Sequence, residues 1–367
     1  MDHAENGHSA PSHAPKYVTA GSAAVAPVIE ARNLTKRFRV ALKAPGLTGA
    51  IKHLARPRYQ EKIAVDGIDL VISAGESVGY IGPNGAGKST TLKLLSGILV
   101  PSAGEVWVRG LVPHRQRSEN ARNIGVVFGQ RTQLWWDLPV QESLRLLGDI
   151  YSVPAKIFER NLREFVDLLD LGPLLPIPAR QLSLGQRMRC DLAASLIHSP
   201  PVLFLDEPTI GLDVAVKARM RDFIKRIIRE SEVTVLLTSH DLGDIEDLCE
   251  RIVMIDRGKI VFDGPLRAIK ERFGRERVIH LILRDPLPTA VDLARSELPE
   301  LPASAFTQTE PHQLTVRFDP TRATPGAIAG RLLALLPVDD LRVEETSVES
   351  IVRQLYDGKL QFNPSVE

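Results

Sequence analysis

The run Gly82-Pro83-Asn84-Gly85-Ala86-Gly87-Lys88-Ser89-Thr90 meets every fixed position of the pattern G-x-x-x-x-G-K-[ST]. The pattern has meaning only between a strand and a helix, and the flanking residues supply both. Glu76 to Ile81 reads as a buried strand, and Lys88 to Ser96 reads as a helix ending at Gly97. This part of the chain is therefore committed to an α/β fold with a phosphate-binding turn. Glycines let the backbone approach phosphate oxygens, and the helix amino terminus offers N–H donors and the positive end of its dipole. Lys88 is expected to reach β- and γ-phosphates and Ser89 Oγ to ligate magnesium. The ligand implied is a nucleoside triphosphate.

At 367 residues the chain has room for a large α/β domain and a smaller one. No apolar stretch reaches the roughly 18 residues needed to cross a bilayer, and the first 27 residues lack a charged start followed by an apolar core, so a cytosolic chain is expected. Cys190 and Cys249 both lie in apolar helical patterns, as core or boundary residues do; a disulfide or metal site is not expected. The net charge of +1 carries no nucleic-acid signal. His3, His8 and His13 sit among Ala, Ser, Gly and Pro without ligand spacing, which favours a disordered tail over a metal-binding one.

Strands are predicted over Pro27 to Val40 and Ile63 to Ile72, the second with alternating Val65, Ile68, Leu70 and Ile72. Residues 41–62 form an insertion rich in Lys and Arg, with Leu47, Ile51 and Leu54 at helical spacing; a solvated loop and a basic amphipathic turn for a membrane face or partner both fit. Apolar residues at three- and four-residue spacing predict an inserted helical subdomain over about 137–200. Strands return at Val202 to Leu205 and Val233 to Thr238, then in a hairpin around Arg257-Gly258. From 274 the predicted order is β-α-β-β-α-β, followed by a helix at Ser347 to Tyr356, which suits a ferredoxin-like sandwich. The domain reading is a tail over 1–27, a nucleotide-binding domain over 28–273, an accessory α+β domain over 274–360 and a tail over 361–367.

Three further motifs follow the phosphate loop. They are Leu182-Ser183-Leu184-Gly185-Gln186 at the head of a helix, the apolar run Val202 to Leu205 ending in Asp206-Glu207-Pro208, and His240 after Val235 to Ser239. In this order they resemble the ATP-binding cassette (ABC) family of transporter ATPases, over about residues 28 to 265. The resemblance implies an α/β phosphate-loop NTPase of ABC type, with an antiparallel β subdomain and a helical subdomain. It also implies that ATP and magnesium are the ligands. Ser183, Gly185 and Gln186 match the signature that meets the γ-phosphate, with Leu184 where the family has glycine. Asp206 matches the magnesium-holding acid, commonly acting through water, and Glu207 the general base. Asp213 ends a D-loop at the dimer seam, with Ile210 where Ser is common. His240 matches the switch histidine, Gln130 the Q-loop glutamine that senses magnesium and the attacking water, and Phe38 the aromatic that stacks on adenine. Phe38 also fits as a strand core residue. Gly82, Asn84, Gly85, Gly87, Lys88, Ser89 and Thr90 complete the nucleotide contacts that the resemblance implies.

In this family the signature of one subunit completes the site of another, so the resemblance implies a homodimer or a heterodimer with a second ABC ATPase. Separate membrane-spanning permease subunits are the expected partners, and the cytoplasmic face of the membrane the expected location. Trp135 and Trp136, just after Gln130, lie where such ATPases receive the permease; a place in the core suits them equally. The insertion, the tryptophan pair and the signature resemble exporter ATPases for drugs, lipids or polysaccharides. An importer ATPase, or a soluble cassette acting on ribosomes or DNA, is the alternative. Only about 95 residues separate Lys88 from Ser183, with no heptad run, which counts against a DNA-repair cassette.

Overall fold

The computed structural model describes residues 27–41, 59–129, 131–273, 277–345, 349 and 351–352. The histidine tail, insertion residues 42–58, Gln130 and most of the helix expected over Ser347 to Tyr356 lie outside the described residues. In chain order the strands are β1 (Pro27–Ala41), β2 (Tyr59–Ser73), β3 (Ser77–Ile81), β4 (Ala103–Val108), β5 (Ile124–Phe128), β6 (Val202–Asp206), β7 (Thr234–Thr238), β8 (Arg251–Asp256), β9 (Lys259–Pro265), β10 (Arg277–Leu283), β11 (Phe306–Glu310), β12 (Gln313–Phe318) and β13 (Val338–Glu345). The helices are α1 (Lys88–Leu95), α2 (Arg117–Asn123), α3 (Val140–Ile150), α4 (Ala155–Leu169), α5 (Leu184–Leu196), α6 (Val214–Ser231), α7 (Leu242–Leu248), α8 (Leu266–Phe273), α9 (Ala290–Glu297) and α10 (Pro325–Leu335). No described helix is long and apolar enough to cross a membrane.

The centre is a six-stranded sheet in the order β5-β6-β7-β3-β8-β9, parallel except for β9. Its middle strands are unbroken apolar runs because both faces are covered. Successive residues of β6 serve opposite cores: Val202 and Phe204 pack with the β1, β2 and β4 side, Leu203 and Leu205 with the helical side. On the first side the antiparallel sheet β2-β1-β4 closes over Tyr80, Leu92 and Phe204. On the second, Leu144, Phe165, Leu192, Phe223 and Ile245 gather the helices onto the sheet. Cys190 and Cys249 are buried and unbridged, matching their apolar helical settings.

β1 and β2 form a long hairpin with Ala41 opposite Tyr59, so residues 59–62, assigned above to the insertion, are strand. β1 bulges at Asn33, whose φ is 47°. Gly104 lies across from that bulge, where a Cβ would stand 2.1 Å from the Asn33 carbonyl oxygen. The sequence reading leaves out β4, β5, α2, α6, α7 and α8; β4 has only Val106 and Val108 buried and begins on Ala-Gly, which weakens its pattern.

The C-terminal strands form a separate antiparallel sheet in the order β11-β12-β10-β13, with α9 after β10 and α10 after β12. Ile279, Leu281, Leu314 and Val316 point inward onto Ala294 and Leu332 of those helices. Beyond β13 the chain returns: Ile351 and Val352 are buried in the core of the helical side, not in that of this sheet.

A buried carboxylate ties α5 to the segment that follows β5. Asp191 of α5 is 2% exposed, and its Oδ1 accepts from Thr132 Oγ1 and from the Gln133 amide, both at 2.8 Å. Its Oδ2 has no hydrogen-bond partner among the described residues. Burial pushes this carboxyl up to about 6, against the pull of the Gln133 and Thr132 donors. The folded state thus holds a proton that the unfolded chain releases near pH 3.8. That stabilisation is complete below the unfolded value and is lost as pH rises through about 6. Asp191→Asn, neutral at every pH and still carrying an acceptor oxygen, should gain on the wild type by up to roughly 3 kcal/mol between pH 4 and 7. Urea unfolding of both proteins across that range checks it; a pH-independent difference would place the Asp191 pKa near that of a free carboxyl.

Candidate functional site

The turn after β3 is shaped by what glycine lacks. A Cβ on Gly82 would lie 2.3 Å from the Ile255 carbonyl oxygen, and one on Gly87 2.4 Å from that of Ala64. Gly85 and Gly87 have φ of 82° and 116°, values that side chains disfavour. The loop is tied to the hairpin turn of β8 and β9 by Gly258 N donating to the Ala86 carbonyl at 2.9 Å. No side chain caps α1. Its first N–H groups therefore face the loop with their donors uncommitted to a cap, the ready-made arrangement for an anion. Buried Lys88 folds back over the turn, its Nζ donating to the carbonyls of Gly82 at 2.6 Å and Pro83 at 3.3 Å. Burial lowers the Lys88 pKa, and the Glu207 and Asp206 carboxylates oppose that shift.

Parallel pairing then brings the ends of β6 and β7 beside the loop. Asp206 Oδ1 accepts from Ser89 Oγ at 3.2 Å and from Thr238 Oγ1 at 2.7 Å, so one oxygen joins the start of α1 to the end of β7. The Asp206 carbonyl accepts from Gly129 N at 2.9 Å, which seats the segment leading to residue 130 against the same strand end.

Glu207 has φ of 56°, a left-handed conformation that costs a side-chain-bearing residue roughly 1–2 kcal/mol. Its N–H donates to the Thr238 carbonyl at 3.0 Å and to Thr238 Oγ1 at 3.2 Å. This backbone turn aims the side chain at His240, whose Nε2 stands 2.7 Å from Glu207 Oε1. The structure thus gathers Lys88, Ser89, Asp206, Glu207 and His240. Thr238 links two of them and was not singled out in the sequence; its only signal is a hydroxyl closing an apolar strand.

Ser183, Gly185 and Gln186 stand elsewhere, at the head of α5. Ser183 and Gln186 form a reciprocal capping box, with Ser183 N donating to Gln186 Oε1 at 2.9 Å and Gln186 N to Ser183 Oγ at 3.3 Å. Gly185 faces Val216 and Leu212. Among the described residues no hydrogen bond joins this motif to the phosphate loop. Asp213 is exposed and caps α6, its Oδ1 accepting from Val216 N at 2.9 Å. Phe38 is half-buried outside both cores, with Lys36 Nζ 5.3 Å from its ring centre. Asn84 is exposed on the loop, and Thr90 half-buried on α1. Trp135 and Trp136 are 37% and 54% exposed, so neither is an interior residue.

A geometry of this kind, an uncapped helix start, a buried lysine and two carboxylates with a histidine on one of them, can bind a polyphosphate and withdraw a proton beside it. The comparisons agree. The family model described as ABC transporter matches residues 65–210. Daunorubicin resistance ATP-binding protein DrrA3 of Streptomyces coeruleorubidus is 37% identical over 231 residues, 63% of this chain and 72% of that protein. ABC transporter ATP-binding protein NatA of Bacillus subtilis is 32% identical over 58% of this chain and 88% of its own. Nod factor export ATP-binding protein I of Neorhizobium galegae is 34% identical over 56% of this chain and 59% of its own. Among solved structures, a dimeric ATP-binding cassette in a post-hydrolysis state with ADP and Pi superposes with a TM-score of 0.54 at 25% identity, over 65% of this chain and 99% of that one. With fold, motif order and relatives in agreement, the chain belongs to the ABC transporter family, as an ATP-binding ATPase subunit.

Proposed function

We propose that this chain hydrolyses ATP to drive a membrane exporter whose spanning subunits are separate polypeptides. The observation that carries the hydrolytic part is the contact of His240 with Glu207 beside the phosphate loop. Lys88 and the first N–H groups of α1 hold the β- and γ-phosphates, and Phe38, available on β1, stacks on adenine. Ser89 and Asp206, whose side-chain oxygens converge at 3.2 Å, would hold a magnesium ion with hard oxygen donors, and Gln130 would be its further ligand. Bound there, the ion would neutralise phosphate charge. Glu207 takes the proton of a water that attacks the γ-phosphorus; the bond from that phosphorus to the bridging oxygen breaks, and ADP leaves with that oxygen. His240 orients the base and meets the γ-phosphate.

Ser183, Gly185 and Gln186 lie at a different element from the phosphate loop, which supports a site completed by a second cassette. Two copies of this chain carry both halves, so a homodimer is sufficient. Asp213 then lies along the seam. Trp135 and Trp136 are exposed apolar rings in the segment directly after Gln130, and we assign them to permease docking at the cytoplasmic face of the membrane. Export follows the relatives whose names carry drug resistance or Nod factor export.

Glu207→Gln should bind ATP within about threefold of wild type and turn it over roughly 10² to 10⁴ times more slowly, about 3 to 5 kcal/mol of barrier. Turnover at the wild-type rate would remove Glu207 as the base. Replacing Trp135 and Trp136 with alanine should abolish copurification with a multi-spanning membrane protein from detergent-solubilised membranes while leaving nucleotide binding unchanged. Undiminished copurification would move the docking surface elsewhere.

A further inference from the structure

Glu207 and His240 are on different strand ends, and their 2.7 Å contact needs both backbone segments to be fixed relative to each other. The Glu207–Thr238 bonds tie the strand ends themselves, and a buried carboxylate adds a second tie beyond them. Asp244, in α7, is 1% exposed, and its Oδ2 accepts from two hydroxyls: Thr209 Oγ1, two residues after Glu207, and Ser239 Oγ at 3.1 Å, one residue before His240. Thr209 and Ser239 are themselves buried, so no solvent competes for these bonds. Ser239 Oγ in turn accepts from Asp241 N at 3.0 Å, fixing the backbone on the far side of His240. The other oxygen, Oδ1, has no hydrogen bond among the described residues and lies 3.7 Å from the Arg221 guanidinium of α6. Thr209 opens the loop that ends at Asp213, and Asp213 starts α6, so Asp244 holds that loop at its beginning and faces the helix at its end.

We propose that Asp244 is a positioning residue of the hydrolytic site: through Thr209 and Ser239 it sets the spacing of Glu207 and His240 without touching nucleotide. The inference rests on the reading of Glu207 and His240 as the hydrolytic pair. Without the carboxylate, two buried hydroxyls lose their acceptor and the segments beyond Glu207 and Thr238 keep only the strand-end bonds between them. The phosphate loop is held by other contacts, to Ile255, Ala64 and Gly258, and is unaffected.

The test is steady-state ATP hydrolysis by the full chain at one protein concentration. Asp244→Ala should lower kcat by roughly 30- to 100-fold with KM for ATP within about threefold, and in a His240→Ala background the same change should cost less than about threefold. Asp244→Asn, whose amide oxygen still accepts both hydroxyls, should recover most of the loss. Thr209→Val and Ser239→Ala should each lower kcat roughly three- to tenfold. They also decide the matter if Asp244→Ala does not fold, since wild-type kcat in both would overturn the proposal. An equal loss with and without His240, or a KM that rises in step with the fall in kcat, would also overturn it. Normal turnover in Glu207→Gln would sink the underlying reading of the site; additive losses at Asp244 and His240 with an inactive Glu207→Gln would sink this inference alone.

Discussion

A single oxygen, Asp206 Oδ1, receives Ser89 from the first turn of α1 and Thr238 from the last residue of β7. Everything at the site is placed relative to this junction. It exists because β6 pairs β7 in parallel with Asp206 opposite Thr238, and β7 pairs β3, so three carboxyl ends open on the same edge of the sheet. Such edges are where open α/β sheets bind ligands, because helices and loops leave there together. The strands that create the edge are buried on both faces, so their register is fixed by two cores at once. Slipping β6 by one residue would exchange Phe204 for Leu205 between those cores and carry Asp206 away from Ser89.

Charge placement follows the same geometry. Lys88 is buried, and burial alone would favour its neutral form; the carboxylates of Asp206 and Glu207 work against this. A lysine confined between its own loop carbonyls and two acids is oriented before any polyphosphate arrives, which lowers the entropic cost of ordering it. Glu207 is held in an unfavourable backbone conformation by two bonds to Thr238, so the compensation comes from the end of the neighbouring strand β7. Strain at this residue aims its carboxylate across at His240 instead of along the strand.

The phosphate loop, the acid-ended strand and the central helices were legible in the sequence because each reduces to a local rule. A glycine pattern, an apolar run with two terminal acids and a three-to-four spacing all show without knowledge of the partner elements. Thr238 and Asp191 were not legible. Each is one polar residue in an otherwise apolar element, and its meaning comes from a hydrogen-bond partner 32 or 59 positions away. The tryptophan pair shows the same limit from the other side. Apolar character cannot separate an interior ring from an exposed one: Leu134 is buried in the core of the helical side, while the two tryptophans next to it stay outside. β4 does not read as a strand in the sequence because its partner β1 supplies the bulge that its glycine accommodates, and neither half reads alone.

Leu184 is where the proposed signature departs from the family pattern, and the structure gives the departure a setting. Its side chain, 38% exposed, leans toward Gly211, where a Cβ would stand 3.1 Å from Leu184 Cδ2. Gly211 has φ of 70°, so that position suits glycine on conformational grounds as well. The leucine is therefore accommodated within its own chain, by the loop between Thr209 and Asp213, and not by displacing its neighbours in the motif. Ser183 and Gln186 still close their capping box, and Gly185 faces Val216 and Leu212. A larger residue inside the motif and a smaller one in the adjacent loop thus act as one packing unit. The apolar side chain leaves the capping box at the amino terminus of α5 intact and packs the motif against the loop that begins two residues after Glu207.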